Sequence, residues 1–512
     1  MKIAIIGAGF AGLTTARTLR DLGHDVTVYE KAPDVGGVWS TTRLYPGVST
    51  QNGKDTYRLS DYPMPDDYPE WPSGQQVQAY LHGYAEEFVI LPLILLNTEV
   101  TAATQDEAGH WQITARGPQG ESTESFEQLV VCNGIFSSPA VPEFAGADAF
   151  RAAGGTICHS SEFLNLDDAR DKHVLVVGYG KSSCDVAAAL APVTEQTTVV
   201  ARELIWKMPK KLAGKLNYKY LFLTRMGEAL FPYIELKGPE RFLHGIGKPI
   251  RNSMIGSVQG VIARQLKLKQ RGVEPKGSFE RIARSTVSLV TDGFFDMVDD
   301  GRIHVARDAR IDRLEVVDGQ RSAVLSNGQT LPADIVICGT GWHQEIPFFT
   351  PEMQARILDE RGNFRLYRCI KPIGVPNLLF NGYNSSFFSP LSAEIGALWV
   401  AAHIAGDLRL PPEEEQKAAT DRRLRWMEER SEGKHARGTN IIPFSMHQID
   451  ELLKDLREPI PTVQRVMEWQ LPVRPAKYYR IVERVKARLK GETRQPGRNG
   501  AAGRNASGQR AA

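Results

Sequence analysis

The first thirty residues, MKIAIIGAGFAGLTTARTLRDLGHDVTVYE, constrain this chain more than any other stretch. Lys2 to Ile6 is a β-branched apolar run, long enough for a buried strand and too short for a helix. It leads straight into Gly7, Gly9 and Gly12 at GxGxxG spacing. Leu13, Ala16, Leu19 and Leu22 then recur at helical spacing, Gly23 stops the helix, and Val26 to Tyr29 makes a second strand ending at Glu30. Strand, glycine turn, helix, strand and terminal acid in that order predict a βαβ unit that binds a dinucleotide. Gly7 permits the turn, Gly9 lets a pyrophosphate approach the backbone, and Gly12 lets helix meet sheet. Phe10 and Ala11 open the helix, whose N-terminus offers unpaired N–H groups and positive dipole to the phosphates. Glu30 is placed to accept from a ribose hydroxyl. The plainer reading, a glycine turn in some other α/β domain, does not account for the flanking elements.

The pattern recurs. His173 to Val177 is apolar, Gly178, Gly180 and Ser183 repeat the fingerprint with serine in third place, and Asp185 to Leu190 carries the helix. The partner strand, Thr197 to Ala201, ends not in an acid but in Arg202. An acid there repels a 2′-phosphate, whereas a guanidinium pairs with it through charge-assisted bonds worth roughly 1.5 to 3 kcal/mol each. A solvated surface cation is the bland alternative for Arg202. Two fingerprints with opposite charge logic imply FAD at the first and NADPH at the second, and hydride transfer between them. The expected fold is α/β with two Rossmann-like dinucleotide-binding domains. The FAD domain is discontinuous, over 1–168 and 334–450, and the NADPH domain is inserted at 169–333.

At 512 residues the chain is too long for one ordinary core. Sixty-two basic against sixty acidic residues leave a net charge of +2, which argues against a nucleic-acid partner. The five cysteines, Cys132, Cys158, Cys184, Cys338 and Cys369, form no CxxC, so neither a disulfide scaffold, a metal site nor a dithiol redox centre is expected. With structure starting by residue 3 and no apolar run of roughly 18 residues, a cytoplasmic protein is expected. The greasiest run, FVILPLILL at 88–96, is broken by Pro92 and predicts a buried segment.

Between the fingerprints, Gly36, Gly37, Val38 and Trp39 place a glycine pair and a large aromatic just after Glu30 and Lys31. Residues 45–71, rich in Pro, Tyr and Asp without periodicity, predict an ordered loop. Gln75 to Phe88 predicts an amphipathic helix. Val100, Trp111 to Ala115 and Phe126 to Val131 predict strands of a small antiparallel piece, with Gln128 to Gly134 a buried strand and glycine turn. An insertion at about 207–284, basic and expected to be helical, is either a cover over the cofactor or substrate cleft, a membrane-surface contact or a dimer face. Ile303 to Val305, Arg313 to Val317 and Ala323 to Leu325 predict short strands, and Ala333 to Gly341 is expected to return the chain to the first domain. Pro390 to Ala405 predicts an apolar core helix with its N-terminus near the flavin. A helical extension over 451–489 and a disordered tail over 490–512 complete the expected organisation.

The motifs GAGFAG at 7–12, GGVW at 36–39, GYGKSS at 178–183 and CGTGW at 338–342 together resemble the class B flavoprotein monooxygenases, in particular the flavin-containing monooxygenase family, over roughly residues 1 to 405. The family's linker fingerprint is represented by Gly155, His159 and Phe163, with Ala153 in place of its first aromatic. Sister Baeyer–Villiger enzymes end that fingerprint in Trp, so Phe163 leans the resemblance to heteroatom oxygenation. The resemblance implies that NADPH reduces FAD, that O₂ adds to form a C4a-hydroperoxyflavin, and that one oxygen passes to a nucleophilic nitrogen or sulfur of a small organic substrate. It carries a family asparagine onto Gln51, with Asn52 adjacent, both candidates for the catalytic amide. It implies further cofactor contacts at Lys31, Gly37, Val38, Trp39, Thr50, Lys181, Ser182, Ser183, Thr340 and Gly341. His159 is either an acid or base, or a linker histidine bonded to backbone. Baeyer–Villiger insertion beside a ketone, and a flavin-binding partner without catalysis, are the alternatives. A disulfide reductase lacks its dithiol here.

Overall fold

The computed structural model describes residues 1–280, 288–384, 386–431 and 446–491. The expected tail lies almost wholly outside them. Ten strands build two parallel five-stranded sheets: β1 (Lys2–Ile6), β2 (Asp25–Tyr29), β3 (Ile94–Leu95), β4 (Gln128–Val131), β5 (Thr156–His159), β6 (His173–Val177), β7 (Gln196–Ala201), β8 (Ile303–Arg307), β9 (Ile335–Cys338) and β10 (Leu378–Phe380). The first sheet runs β10-β4-β1-β2-β3 and the second β8-β7-β6-β9-β5. Each centres on its glycine fingerprint, with β1 flanked in parallel by β2 and β4 and β6 by β7 and β9. Strands β4 and β9 are buried along their whole length, as apolar runs demand of a parallel sheet covered on both faces.

Helix α1 (Phe10–Asp21) follows the first fingerprint, α2 (Gly74–Glu87) packs nearby behind a Ser73–Gln76 capping box, and α3 (Lys181–Leu190) follows the second fingerprint. The longest insertion helix is α4 (Lys248–Gln265), and α5 (Ser389–Ile404) is the apolar helix expected near 390–405, buried from Pro390 to Ala402 and packed along α1. Beyond it come α6 (Met446–Asp455), α7 (Thr462–Gln470) and α8 (Tyr479–Leu489).

Four expectations change. The segment at 333–341 does not itself rejoin the first sheet, because β9 pairs with β6 and β5 inside the second; the chain returns to the first sheet only after Cys338. The three-stranded antiparallel piece uses Glu99–Gln105, Trp111–Gly117 and Gly120–Phe126, the last an exposed edge of sequence GESTESF whose polarity hides it. The run at 88–96 is not uniformly buried: Ile90 and Ile94 face inward while Val89 and Leu95 are exposed, since Leu95 sits on the edge strand β3. The insertion is only partly helical, opening with three two-residue strands before its helices.

The insertion is joined to the C-terminal helices by buried charge. Arg225 donates to both oxygens of Asp450 at 2.8 and 3.0 Å and to Glu468 at 2.8 Å, and Arg465 reaches Asp450 at 2.8 Å. His447 is gripped between Glu228 and Glu240, the latter at 2.7 Å, and stacks on Tyr233 with centroids 4.2 Å apart. Burial opposes its charge, but the two carboxylates win and push it up from 6.5 to about 10. The sign follows from linkage. The folded state holds the proton more tightly, so this contact stabilises fully below pH 6.5 and is lost as pH rises through 10. The melting temperature of His447→Gln should therefore fall below wild type at pH 6 and converge toward it near pH 10. A gap independent of pH would show that the imidazolium contributes nothing.

Candidate active site

A cavity of about 1040 Å³ runs along the C-terminal ends of the first sheet's strands. Ile6 and Gly7 after β1, Glu30 after β2, Asn133 after β4 and Gly382 after β10 all line it, which is where open α/β sheets bind ligands. Gly7 has φ +104°, and a Cβ there would stand 2.6 Å from the carbonyl oxygen of Cys132. A Cβ on Gly12 would stand 1.8 Å from the carbonyl oxygen of Gly7, so α1 meets β1 only because that carbon is missing. Gly9 faces the backbone of Gly37, its would-be Cβ 3.5 Å from the Gly37 Cα, and two side-chain-free backbones thus border one channel. Glu30 accepts from the amides of Ala8 at 2.7 Å and Ala32 at 2.8 Å, and burial raises its carboxyl above the usual range.

Of the expected cofactor contacts, Gly7, Gly9, Phe10, Ala11, Glu30, Lys31, Gly37, Val38 and Trp39 line this cavity, and Gly12 sits behind it as packing. Trp39 donates from its indole to the Tyr57 hydroxyl at 3.1 Å, and Phe10 meets Tyr57 edge-on at 5.5 Å, forming an aromatic wall. Three lining groups carry no motif. Arg43 donates to the Phe136 carbonyl at 2.6 Å and lies over the Trp342 ring; burial lowers it to about 10. Tyr383 donates to Asn133 at 2.6 Å, and Ser389 and Ser392 bring the N-terminal turn of α5 to the cavity. Arg43 follows GGVW by four residues, which is the signal that could have found it.

Thr50, Gln51 and Asn52 do not line the cavity. Thr50 turns its hydroxyl to the Asn52 carbonyl at 2.8 Å. The Gln51 side chain accepts from the Leu289 amide at 3.1 Å, while Asn52, fully buried, donates to the Phe387 carbonyl and accepts from the Tyr218 hydroxyl at 3.3 Å. Farther along this loop, Glu394 of α5 accepts from both the amide and hydroxyl of Ser60, at 3.1 and 2.8 Å, and Arg17 of α1 pairs with Asp61 at 2.7 Å. Burial, with Asp61 beside it, pushes Glu394 up to about 7. At the loop's start, Tyr45 lies beside Ser182 and Asp185, and Gly47 lies so close to the Asp185 carbonyl that a Cβ would be 2.9 Å away. The insertion seals the outside: Lys219 pairs with Asp55 at 2.9 Å, and Asn217 donates to Glu70 at 2.5 Å.

The second fingerprint is built like the first. Gly178 has φ +112° and a Cβ there would lie 2.7 Å from the Gly339 carbonyl oxygen, while Ser183 donates to that carbonyl at 3.2 Å. A Cβ on Gly180 meets nothing within 4 Å. Lys181 is spent on Asp185 at 2.5 Å, but Arg202 is exposed and bonds no described residue. Thr340 donates to the Ala140 carbonyl, and the Gly341 carbonyl accepts from the Ala140 amide at 3.1 Å and from His159 at 3.0 Å. The other His159 nitrogen accepts from Ser161 at 2.8 Å, and burial lowers the ring's pKa. His159 ties the end of β5 to the turn after β9.

Two parallel sheets, each carrying a glycine turn over its strand ends, define a two-dinucleotide oxidoreductase. The chain belongs to the flavin-binding monooxygenase-like family, whose FMO-like model matches residues 1–457, and it is a flavin monooxygenase. It is 26% identical over 496 residues to the probable flavin-containing monooxygenase 1 of Arabidopsis thaliana, covering 89% of this chain and 91% of that one. Its fold matches S-allyl-L-cysteine S-oxygenase of Allium sativum with TM-score 0.60 and 19% identity, over 96% of this chain and 98% of that chain. It also matches NADP⁺-bound cyclohexanone monooxygenase of Rhodococcus sp. Phi1 with TM-score 0.63 and 17% identity, over 96% and 98%. Among the described residues no helix is long and apolar enough to cross a membrane.

Proposed function

We propose that this chain holds FAD in the 1040 Å³ cavity and NADPH at the second fingerprint, and oxygenates a nucleophilic nitrogen or sulfur of a small organic molecule. The carrying observation is the contrast between the two strand ends: a buried carboxylate at Glu30 and an exposed guanidinium at Arg202 that bonds no described residue. The cavity fits the flavin nucleotide. The bare backbones of Gly9 and Gly37 make room for a pyrophosphate, Glu30 for a ribose, and the turn of α5 with Arg43 supplies positive potential for a reduced ring system. FAD, reduced by NADPH, supplies the activation of O₂.

The residues of this chain set orientation and access. The Phe10, Trp39 and Tyr57 wall keeps water off one side of the cavity. Of the two candidate amides we assign the role to Asn52, which is bonded to Phe387 next to the α5 turn that borders the cavity; Gln51 is committed to Leu289. The insertion covers this loop through Lys219 and Asn217, and a reducing, cytoplasmic setting suits the five free cysteines.

A thioether, a tertiary amine and a cyclic ketone assayed in parallel, with NADPH consumed set against product formed, test the reading. Sulfoxide or N-oxide is expected; an ester or lactone alone reassigns the enzyme to Baeyer–Villiger chemistry. Arg202→Ala should raise the KM for NADPH about tenfold to a hundredfold, as expected from losing roughly 1.5 to 3 kcal/mol, and leave the KM for NADH in place. Equal effects on both nucleotides would remove Arg202 from 2′-phosphate recognition.

A further inference from the structure

Helix α7 is inside out. Three of its polar residues turn to the protein: Glu468 is 5% exposed and accepts from Arg225, from the Tyr478 hydroxyl at 3.2 Å and from Gln464 at 2.8 Å, while Arg465 reaches Asp450. Three of its apolar residues, and Leu471 just past its end, face solvent, while Trp469 is half-buried. Val463 is 72%, Val466 64%, Met467 49% and Leu471 48% exposed, at the i, i+3, i+4, i+8 spacing that puts them in one stripe. The buried ions fix this orientation, because rotating the helix to hide the stripe would strand Arg225 and expose its partners. A contiguous apolar stripe of this kind marks a contact surface.

What surrounds the stripe selects its partner. Three residues past Leu471, within about 10 Å along the chain, stands Arg474. Lys477 and Arg480 follow, all three exposed and none paired with an acid among the described residues, and Tyr479 between them is 41% exposed. An apolar stripe rimmed by unpaired cations and an amphipathic aromatic is complementary to an anionic bilayer surface, with the apolar side chains entering the acyl boundary and the cations meeting headgroup phosphates.

We propose that the outward face of α7, with the Arg474 to Arg480 segment, docks this enzyme peripherally on an anionic lipid surface. Such a surface also concentrates apolar amines and thioethers, but the docking stands independently of the reaction proposed above. The test uses the full-length flavin-loaded protein and sedimentation with vesicles of pure phosphatidylcholine or of phosphatidylcholine with about one third phosphatidylglycerol. Wild type should pellet with the anionic vesicles and release at high salt. Val466→Asp with Met467→Asp should weaken that binding by about tenfold or more. Because both positions are solvent-facing, the variant should keep its melting temperature and flavin content. Reversing Arg474, Lys477 and Arg480 to Glu should abolish the preference for anionic over neutral vesicles. Wild type that stays in the supernatant, or binding unchanged in the double Asp variant, overturns the proposal. So does a wild-type dimer that becomes monomeric in that variant without any vesicle binding, which would assign the stripe to a second copy.

Discussion

Replacing Gly12 with alanine should give a protein that melts early and carries no flavin. The added methyl falls 1.8 Å from the Gly7 carbonyl oxygen, backbone against backbone, so neither side can yield by turning a side chain. Helix α1 must lift from the sheet, at a cost of about 3 kcal/mol or more, and the channel between Gly9 and Gly37 opens with it. Gly180→Ala is the matched control. It occupies the middle place in the second fingerprint, has ordinary extended φ, and its new methyl meets nothing within 4 Å. That variant should fold and hold flavin like wild type, with its loss confined to NADP⁺ affinity measured by titration, since Gly180 is where a pyrophosphate would approach the backbone. A yellow, stable Gly12→Ala protein would show that close packing at this turn is not what the first fingerprint requires.

Arg225→Met should be the most damaging change outside the nucleotide sites. The guanidinium sits under Asp450, Glu468 and Tyr478, and Glu468 keeps only Gln464 and Tyr478 when it goes. Truncating one member of a buried ion cluster typically costs about 3 to 5 kcal/mol, because the surviving charge stays desolvated. Thermal melts and limited proteolysis should show the C-terminal helices released first. Adding Glu468→Gln should recover part of the loss, as a coupling in a double-mutant cycle. A loss below about 1 kcal/mol would place the cluster among solvent-screened surface pairs.

How much of this was visible in sequence follows from how local each feature is. Both fingerprints could be read because strand, turn and helix are contiguous, and the steric reasons for Gly7 and Gly12 lie within the same unit or its neighbouring strand. The strand Gly120–Phe126 was not visible: an exposed edge paired on one side needs no apolar alternation. The sheet membership of β5 and β9 depends on pairing across long sequence separations, which composition does not encode. The candidate amides show the same limit. The family resemblance pointed to Gln51 and Asn52, but their orientation is set by Phe387, Leu289 and Tyr218, each more than a hundred residues away. His159 was legible as a linker residue, and only its bonds to Ser161 and Gly341 settle it as a fastener.

The 45–71 loop touches two bodies along its length: Tyr45 and Gly47 lie against the helix of the second fingerprint, and Ser60 and Asp61 bond the two helices that wall the first cavity. Any swivel of one nucleotide unit against the other therefore tugs on the stretch between those moorings, and that stretch is Thr50, Gln51 and Asn52.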